Sequence, residues 1–139
     1  MDTALPTTEI KELHVMIVDD DDFQLEFVSD LLTDLGISNI TTALGGQLGL
    51  SMFDSSKVKP DLLLCDIQMP DIDGFEFMKR LGDRNFTGGV ILMSGQGAKV
   101  LYSASLVAQL ARQNFLGTIE KPLQKEALLV AIQKMTANT

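Results

Sequence analysis

Leu62-Leu63-Leu64-Cys65-Asp66-Ile67-Gln68-Met69-Pro70-Asp71-Ile72-Asp73-Gly74 is the stretch whose reading decides the fold. Four apolar residues in a row suit a strand buried on both faces, as in a parallel sheet. Pro70 and Gly74 then break regular structure and set a tight loop. Such a strand delivers Asp66 to its carboxyl end, where open α/β sheets place their ligands. The plainer reading makes Asp66 a helix cap or a solvated loop residue, so the flanking segments have to decide.

Upstream, Leu13-His14-Val15-Met16-Ile17-Val18 predicts a second core strand, stopped by Asp19-Asp20-Asp21-Asp22. His14 is the chain's lone histidine and reads as a strand-start or surface residue. Phe23, Phe27, Leu31 and Leu35, with Val28 and Leu32 beside them, form an apolar stripe of helical period. Asp21 or Asp22 should cap that helix, and Gly36 should end it. A short strand follows over 37–43, its threonines suited to β-structure. Gly45-Gly46 lacks the lysine and spacing of a phosphate-binding loop and reads as a turn. Leu48 to Phe53 predicts a second helix, and Pro60 marks the boundary before the central strand.

Downstream, Phe75, Phe77, Met78 and Leu81 belong to a third helix, and Val90-Ile91-Leu92-Met93 to a fourth strand that stops at Ser94-Gly95. A long helix is expected over 98–113, then a strand over 115–119, the pair Lys121-Pro122, and a last helix with Leu128, Ala131, Ile132 and Met135 inward. Five βα units in succession call for right-handed crossovers on a parallel sheet. The fold class is therefore α/β, a three-layer αβα sandwich with strand order 2-1-3-4-5. The domain spans 13–136, with an N-terminal tail over 1–12.

With 139 residues, 45% hydrophobic and 22% charged, the chain is large enough for one real core. Its net charge of -8 argues against direct binding to nucleic acid or an anionic membrane. Cys65 is the only cysteine, which excludes an internal disulfide and makes it a small buried hydrophobe. No stretch has the apolar length of a membrane helix, and the acidic N-terminus is unlike a signal peptide. A soluble, cytoplasmic protein is expected.

Four predicted strands end in Asp19-Asp20, Asp66, Ser94 and Lys121, and a parallel sheet gathers these ends on one edge. Three carboxylates so placed repel unless a cation sits among them. Mg²⁺ is the natural cation, hard and satisfied by carboxylates, a backbone carbonyl and water. A hydroxyl and an ammonium nearby suit the non-bridging oxygens of a phosphoryl group, with an aspartate as nucleophile. The plain alternative is an ordinary ion pair beside helix-capping acids.

The set closely resembles the receiver domain of two-component response regulators, over about Leu13 to Met135. Val18-Asp19-Asp20 is similar to that family's acidic pair, and Asp66 through Gly74 to its phosphoacceptor loop. Ser94-Gly95 resembles its hydroxyl-plus-small pair, and Lys121-Pro122 its lysine with a cis-proline partner. The resemblance implies a flavodoxin-like (βα)5 domain. It implies that Asp66 takes the phosphoryl group, and that Asp20 ligates Mg²⁺ directly and Asp19 mostly through water. It further implies the backbone carbonyl of Gln68 as a ligand, Ser94 against the phosphate and Lys121 paired with it. The implied donor is a sensor histidine kinase or a phosphotransfer protein, and such a chain is an enzyme only toward its own modification.

Two features depart from the usual pattern. Thr118 stands three places before Lys121, where the family carries an aromatic switch residue, and Phe115 is the nearest aromatic to take its place. The segment from Ser94 to Lys121 is also long. With Leu116-Gly117-Thr118-Ile119-Glu120 it is similar to receivers that precede cyclic-di-GMP phosphodiesterase domains. Output, to a second copy or an output domain, is expected through the 98–113 helix (Tyr102 and Gln109), the fifth strand and the last helix, with the Ser94-Gly95-Gln96 loop moving. Two alternatives belong to other classes. A phosphatase with an aspartyl nucleophile wants a second aspartate two residues on, where Gln68 stands. A binding-only pseudo-receiver would not need the acid, hydroxyl and lysine set.

Overall fold

Burial on both faces turns the apolar runs into strands. The computed structural model describes residues 10–95 and 112–137. In chain order the elements are β1 (His14–Asp19), α1 (Asp22–Asp34), β2 (Asn39–Leu44), α2 (Gly46–Ser55), β3 (Leu62–Asp66), α3 (Gly74–Asp83), β4 (Gly89–Ser94), β5 (Asn114–Glu120) and α4 (Lys125–Ala137). All five strands pair in parallel, in the order β2-β1-β3-β4-β5. Every residue of β3 and β4 is buried, as a central parallel strand requires.

Period-two alternation divides the strand residues between two layers. Val15, Ile17, Leu62, Leu64, Ile91 and Met93 pack with Leu25, Val28 and Leu32 of α1 and Leu128, Ala131 and Ile132 of α4. Met16, Val18, Leu63, Cys65, Val90 and Leu92 pack with Leu50 and Phe53 of α2 and Phe77, Met78 and Leu81 of α3. The three-layer sandwich follows. No helix among the described residues is long and apolar enough to cross a membrane.

Several local expectations are corrected. The buried face of α1 is centred on Leu25, Val28 and Leu32, and Phe23 is 68% exposed. Phe23 lies in the first turn, two residues and hence about 200° from Leu25, so it points away from the sheet. Ile10, placed in the tail by sequence, is 1% exposed and belongs to the first core layer. β2 starts at Asn39, two residues later than expected, because Ile37 is buried in the turn before it. The 98–113 helix, with Tyr102 and Gln109, falls outside the described residues up to 111, and Arg112-Gln113 form a turn into β5.

β5 carries an irregularity absent from the sequence reading. Its register runs Val90↔Phe115 and then Ile91↔Gly117, leaving Leu116 as an extra residue, with Gly117 at φ 130°. This is a β-bulge on an edge strand. Beyond it Ser94 pairs with Glu120, whereas Phe115 pairs with Val90. Phe115 therefore sits four β4 residues, roughly 13 Å, from Ser94 and cannot replace the aromatic missing at Thr118.

Candidate functional site

Asp19 lies two residues after Ile17 in β1, and Asp66 two after Leu64 in β3. Both carboxylates thus continue the layer that faces α1 and α4, at the carboxyl edge of adjacent strands. β5 ends beside them and the chain turns at Lys121-Pro122, a cis peptide, toward α4. The amide of Lys121 donates to the carbonyl of Ser94 at 2.7 Å, which fixes the lysine's origin against the end of β4.

From there the ammonium reaches both acids. Lys121 Nζ lies 2.9 Å from Asp19 Oδ2 and 3.2 Å from Asp66 Oδ2. Asp19 is fully buried and Asp66 and Ser94 nearly so, while Asp20 is exposed. One carboxylate oxygen from each of Asp19, Asp20 and Asp66 lies within 4.8 Å of the others, a group able to hold a metal ion. Three acids beside one ammonium, which pairs with Asp19 and Asp66 only, leave a surplus of negative charge that a hard divalent cation would offset.

The backbone also supplies donors. The amide of Asp21 donates to Asp19 Oδ1 at 3.0 Å, and Gln68 N donates to Asp66 Oδ1 at 3.3 Å. Asp21 is also the N-cap of α1, accepting from the amide of Phe23, so the helix begins where the acidic run ends. The loop after Asp66 is pressed back on its strand: a Cβ on Gly74 would stand 2.6 Å from the Asp66 carbonyl oxygen. Only glycine permits that approach. Cys65 is fully buried, its thiol pushed well above its usual pKa by burial and then by Asp66, and it donates to the Asp66 carbonyl at 3.3 Å.

Burial dominates the electrostatics of Asp19. It raises the carboxyl from 3.8 to about 6, against the hydrogen bond from Lys121 and with a further push from Asp66. Lys121 loses something to burial as well, but its bonds to Asp19 and Asp66 hold it above its usual value. The pocket thus sets the Lys121 ammonium between two buried acids.

Asp19, Asp20, Asp66 and Lys121 are brought into one pocket, and Ser94 stands one register step beyond Met93, the partner of Asp66 in β4. Gln68 is tied to Asp66 through its backbone amide, with its side chain exposed. Sequence reasoning missed Asp71, whose carboxylate receives the amides of Gly46 and Gln47 across the loop. A helix opening on Gly45-Gly46, with no side chain of its own to cap it, was the available signal.

Fold and pocket together define a flavodoxin-like α/β domain with an acidic, cation-ready carboxyl edge. The family pattern of the response regulator receiver domain matches residues 15–133, and the chain belongs to that family of two-component signalling modules. The chain is 27% identical over 122 residues to the chemotaxis protein CheY of Listeria monocytogenes, covering 88% of this chain and 97% of that one. It is 31% identical over 119 residues to the 3',5'-cyclic-nucleotide phosphodiesterase regA of Dictyostelium discoideum, covering 84% of this chain but 14% of that protein. Among solved structures, FixJ-N superposes with a TM-score of 0.69 at 23% identity, covering 90% of this chain and 94% of that one. A receiver domain from Clostridium thermocellum gives 0.72 at 20% identity, covering 89% and 94%. At these identities the structures establish the fold.

Proposed function

We propose that Asp66 is the phosphoacceptor of a phosphorylation-controlled signal receiver. A carboxylate oxygen of Asp66 attacks the phosphorus of a phosphohistidine on a sensor kinase or phosphotransfer protein. The new P–O bond forms as the P–N bond breaks, and the imidazole leaves with the electron pair. Lys121 is positioned to pair with the oxygens that gain charge, and the Ser94 hydroxyl to donate to them. Asp19, Asp20, Asp66 and the Gln68 carbonyl would hold a Mg²⁺, which when bound neutralises charge on the phosphoryl group. The carrying observation is the Lys121 ammonium set between Asp19 and Asp66, with Asp20 completing a three-acid group beside it.

The outcome is a signal passed to a partner or an output domain, in a cytoplasmic setting. Relatives of both kinds exist: CheY is nearly all receiver, while regA is a phosphodiesterase in which the matching stretch is a small part. A phosphodiesterase output, a second copy as partner, or signalling through β5 and α4 are finer readings of the same proposal.

The test is exposure to acetyl phosphate with Mg²⁺, followed by intact-mass measurement. One phosphoryl adduct is expected on wild type and none on Asp66→Asn, which keeps the size but not the nucleophilic anion. Equal adduct on the variant would place the nucleophile elsewhere. Rapid turnover of external phosphate esters would favour the phosphatase alternative.

A further inference from the structure

The loop that carries Asp66 is held from a direction the proposed phosphotransfer chemistry does not explain. Asp71 Oδ2 accepts from the amide of Gln47 at 2.8 Å, and Oδ1 accepts from Gly46 at 3.3 Å and from Ile72 at 2.8 Å. Gln47 and Gly46 belong to the opening turn of α2, twenty-four and twenty-five residues away in sequence. The N-cap of α2 is Gly45, which has no side chain to offer, so Asp71 supplies the cap from another loop.

The fit is close. A Cβ on Gly46 would meet Ile72 Cγ1 at 2.4 Å, and Gly45 lies at φ 97° with Asp71 Oδ2 3.2 Å from where its Cβ would stand. The Gly45-Gly46 pair therefore exists to admit the Asp71-Ile72 corner. Burial works against the Asp71 charge, yet the amides of Gln47, Ile72 and Gly46 hold its carboxyl below the usual range. Ile72 and Met69 of the same loop are buried with Leu50 and Phe53 of α2.

The amide of Gly45 donates in turn to the backbone carbonyl of Asp19 at 2.9 Å. A closed ring results. It runs from Asp19 through Gly45 and the start of α2 to Asp71, along the loop to Gln68 and Asp66, and back through Lys121 to Asp19. We propose that Asp71 is a positioning residue for the metal and phosphoryl site, fixing the Asp66–Gln68 side of the pocket relative to the Asp19–Asp20 side. This inference rests on the reading of the pocket as a Mg²⁺-dependent phosphoacceptor site.

Asp73 provides the matched control. It caps α3 from the same loop, accepting from Glu76 at 2.8 Å, and among the described residues ties the loop to its own helix alone. Both acids are exposed, so their replacement leaves the core untouched. Mg²⁺ affinity is measured by calorimetry on wild type, Asp71→Ala, Asp71→Asn and Asp73→Ala, with acetyl phosphate adduct yield alongside. Asp71→Ala should weaken Mg²⁺ about tenfold and lower the adduct rate, the usual scale for removing a residue that orients ligands. Asp71→Asn should recover part of the loss, because an amide oxygen still accepts from Gln47. Asp73→Ala should lower melting temperature while keeping near-wild-type Mg²⁺ affinity. Wild-type Mg²⁺ affinity in Asp71→Ala, with hydrogen exchange faster at Gly46 and Gln47, would reduce Asp71 to a helix cap and overturn the inference. So would equal losses in Asp71→Ala and Asp73→Ala. A wild-type protein that takes up neither Mg²⁺ nor phosphate would overturn the underlying reading, and this one with it.

Discussion

The two edges of the sheet treat the same chemical pair in opposite ways. At the amino edge, Arg84 after α3 makes a two-pronged bond with Asp54 of α2, at 2.7 and 3.2 Å, with the carboxylate about half exposed. The guanidinium there holds the Asp54 carboxyl below its usual range. At the carboxyl edge, Lys121 approaches Asp19 just as closely, at 2.9 Å, and the Asp19 carboxyl nevertheless rises to about 6. A cationic partner does not decide the sign. Burial does, reinforced by the second acid that shares the same ammonium. One edge is a finished ion pair, and the other is an unfinished one.

The largest break in that comparison should come from Lys121→Met. It leaves two buried carboxylates with no ammonium, a loss on the order of 3–5 kcal/mol when one partner of a buried pair is removed. Urea denaturation at neutral pH should show it, and Mg²⁺ should restore part of it. Unchanged stability would mean that water already screens the pair.

Next comes pH. The folded carboxyl of Asp19 titrates near 6 and the unfolded one near 3.8, so the native state binds the extra proton between those values. Stability from this group is present below about 4 and is lost as pH rises through about 6, an amount on the order of 2–3 kcal/mol. Asp71 and Asp54, whose carboxyls are lowered, slope the other way. The clean measurement is therefore a difference. Asp19→Asn, compared with wild type without metal, should gain relative stability between pH 4 and pH 7. A difference flat in pH would place the raised titration elsewhere.

Mg²⁺ should bring the carboxyl edge closer to the amino edge by completing its charge balance. At a hundred times its dissociation constant, a ligand bound only to the native state adds about 2.7 kcal/mol. Asp20→Asn should lose most of that response, with little change in metal-free stability because Asp20 is exposed. If variant and wild type melt alike across a Mg²⁺ titration, both still responding, Asp20 is not a ligand.

The smallest effect belongs to the finished pair. Asp54→Ala should barely move the urea midpoint, and any difference should vanish in high salt. A large, salt-insensitive loss would erase the contrast between the edges.

The pocket was legible because each of its residues ends a strand. Apolar runs at 13–18, 62–65 and 90–93 specify buried parallel strands, and whatever follows them must converge. The phase of a helix is less legible. Val28 and Leu32 are buried as read and Phe27, Leu31 and Leu35 pack beside them, but Phe23, in the first turn, is exposed and Leu25 takes the inward place. The failure of Phe115 as a substitute aromatic has a different cause: an extra residue at Leu116 shifts the count, and its one mark in the sequence is Gly117 inside the strand. Asp71 was hidden by distance, since a loop aspartate declares nothing about amides some twenty-five residues earlier.

The lone thiol has a spectroscopic consequence. Cys65 is the chain's only cysteine, and its S–H points at the carbonyl oxygen of Asp66. Thiol stretching absorbs in an infrared window that other protein groups leave almost empty, and its frequency follows the strength of the hydrogen bond it makes. Burial keeps the sulfur protonated and out of reach of alkylating reagents. The wild-type protein thus contains a label-free vibrational probe one residue from its proposed acceptor, and acetyl phosphate should shift a single narrow band.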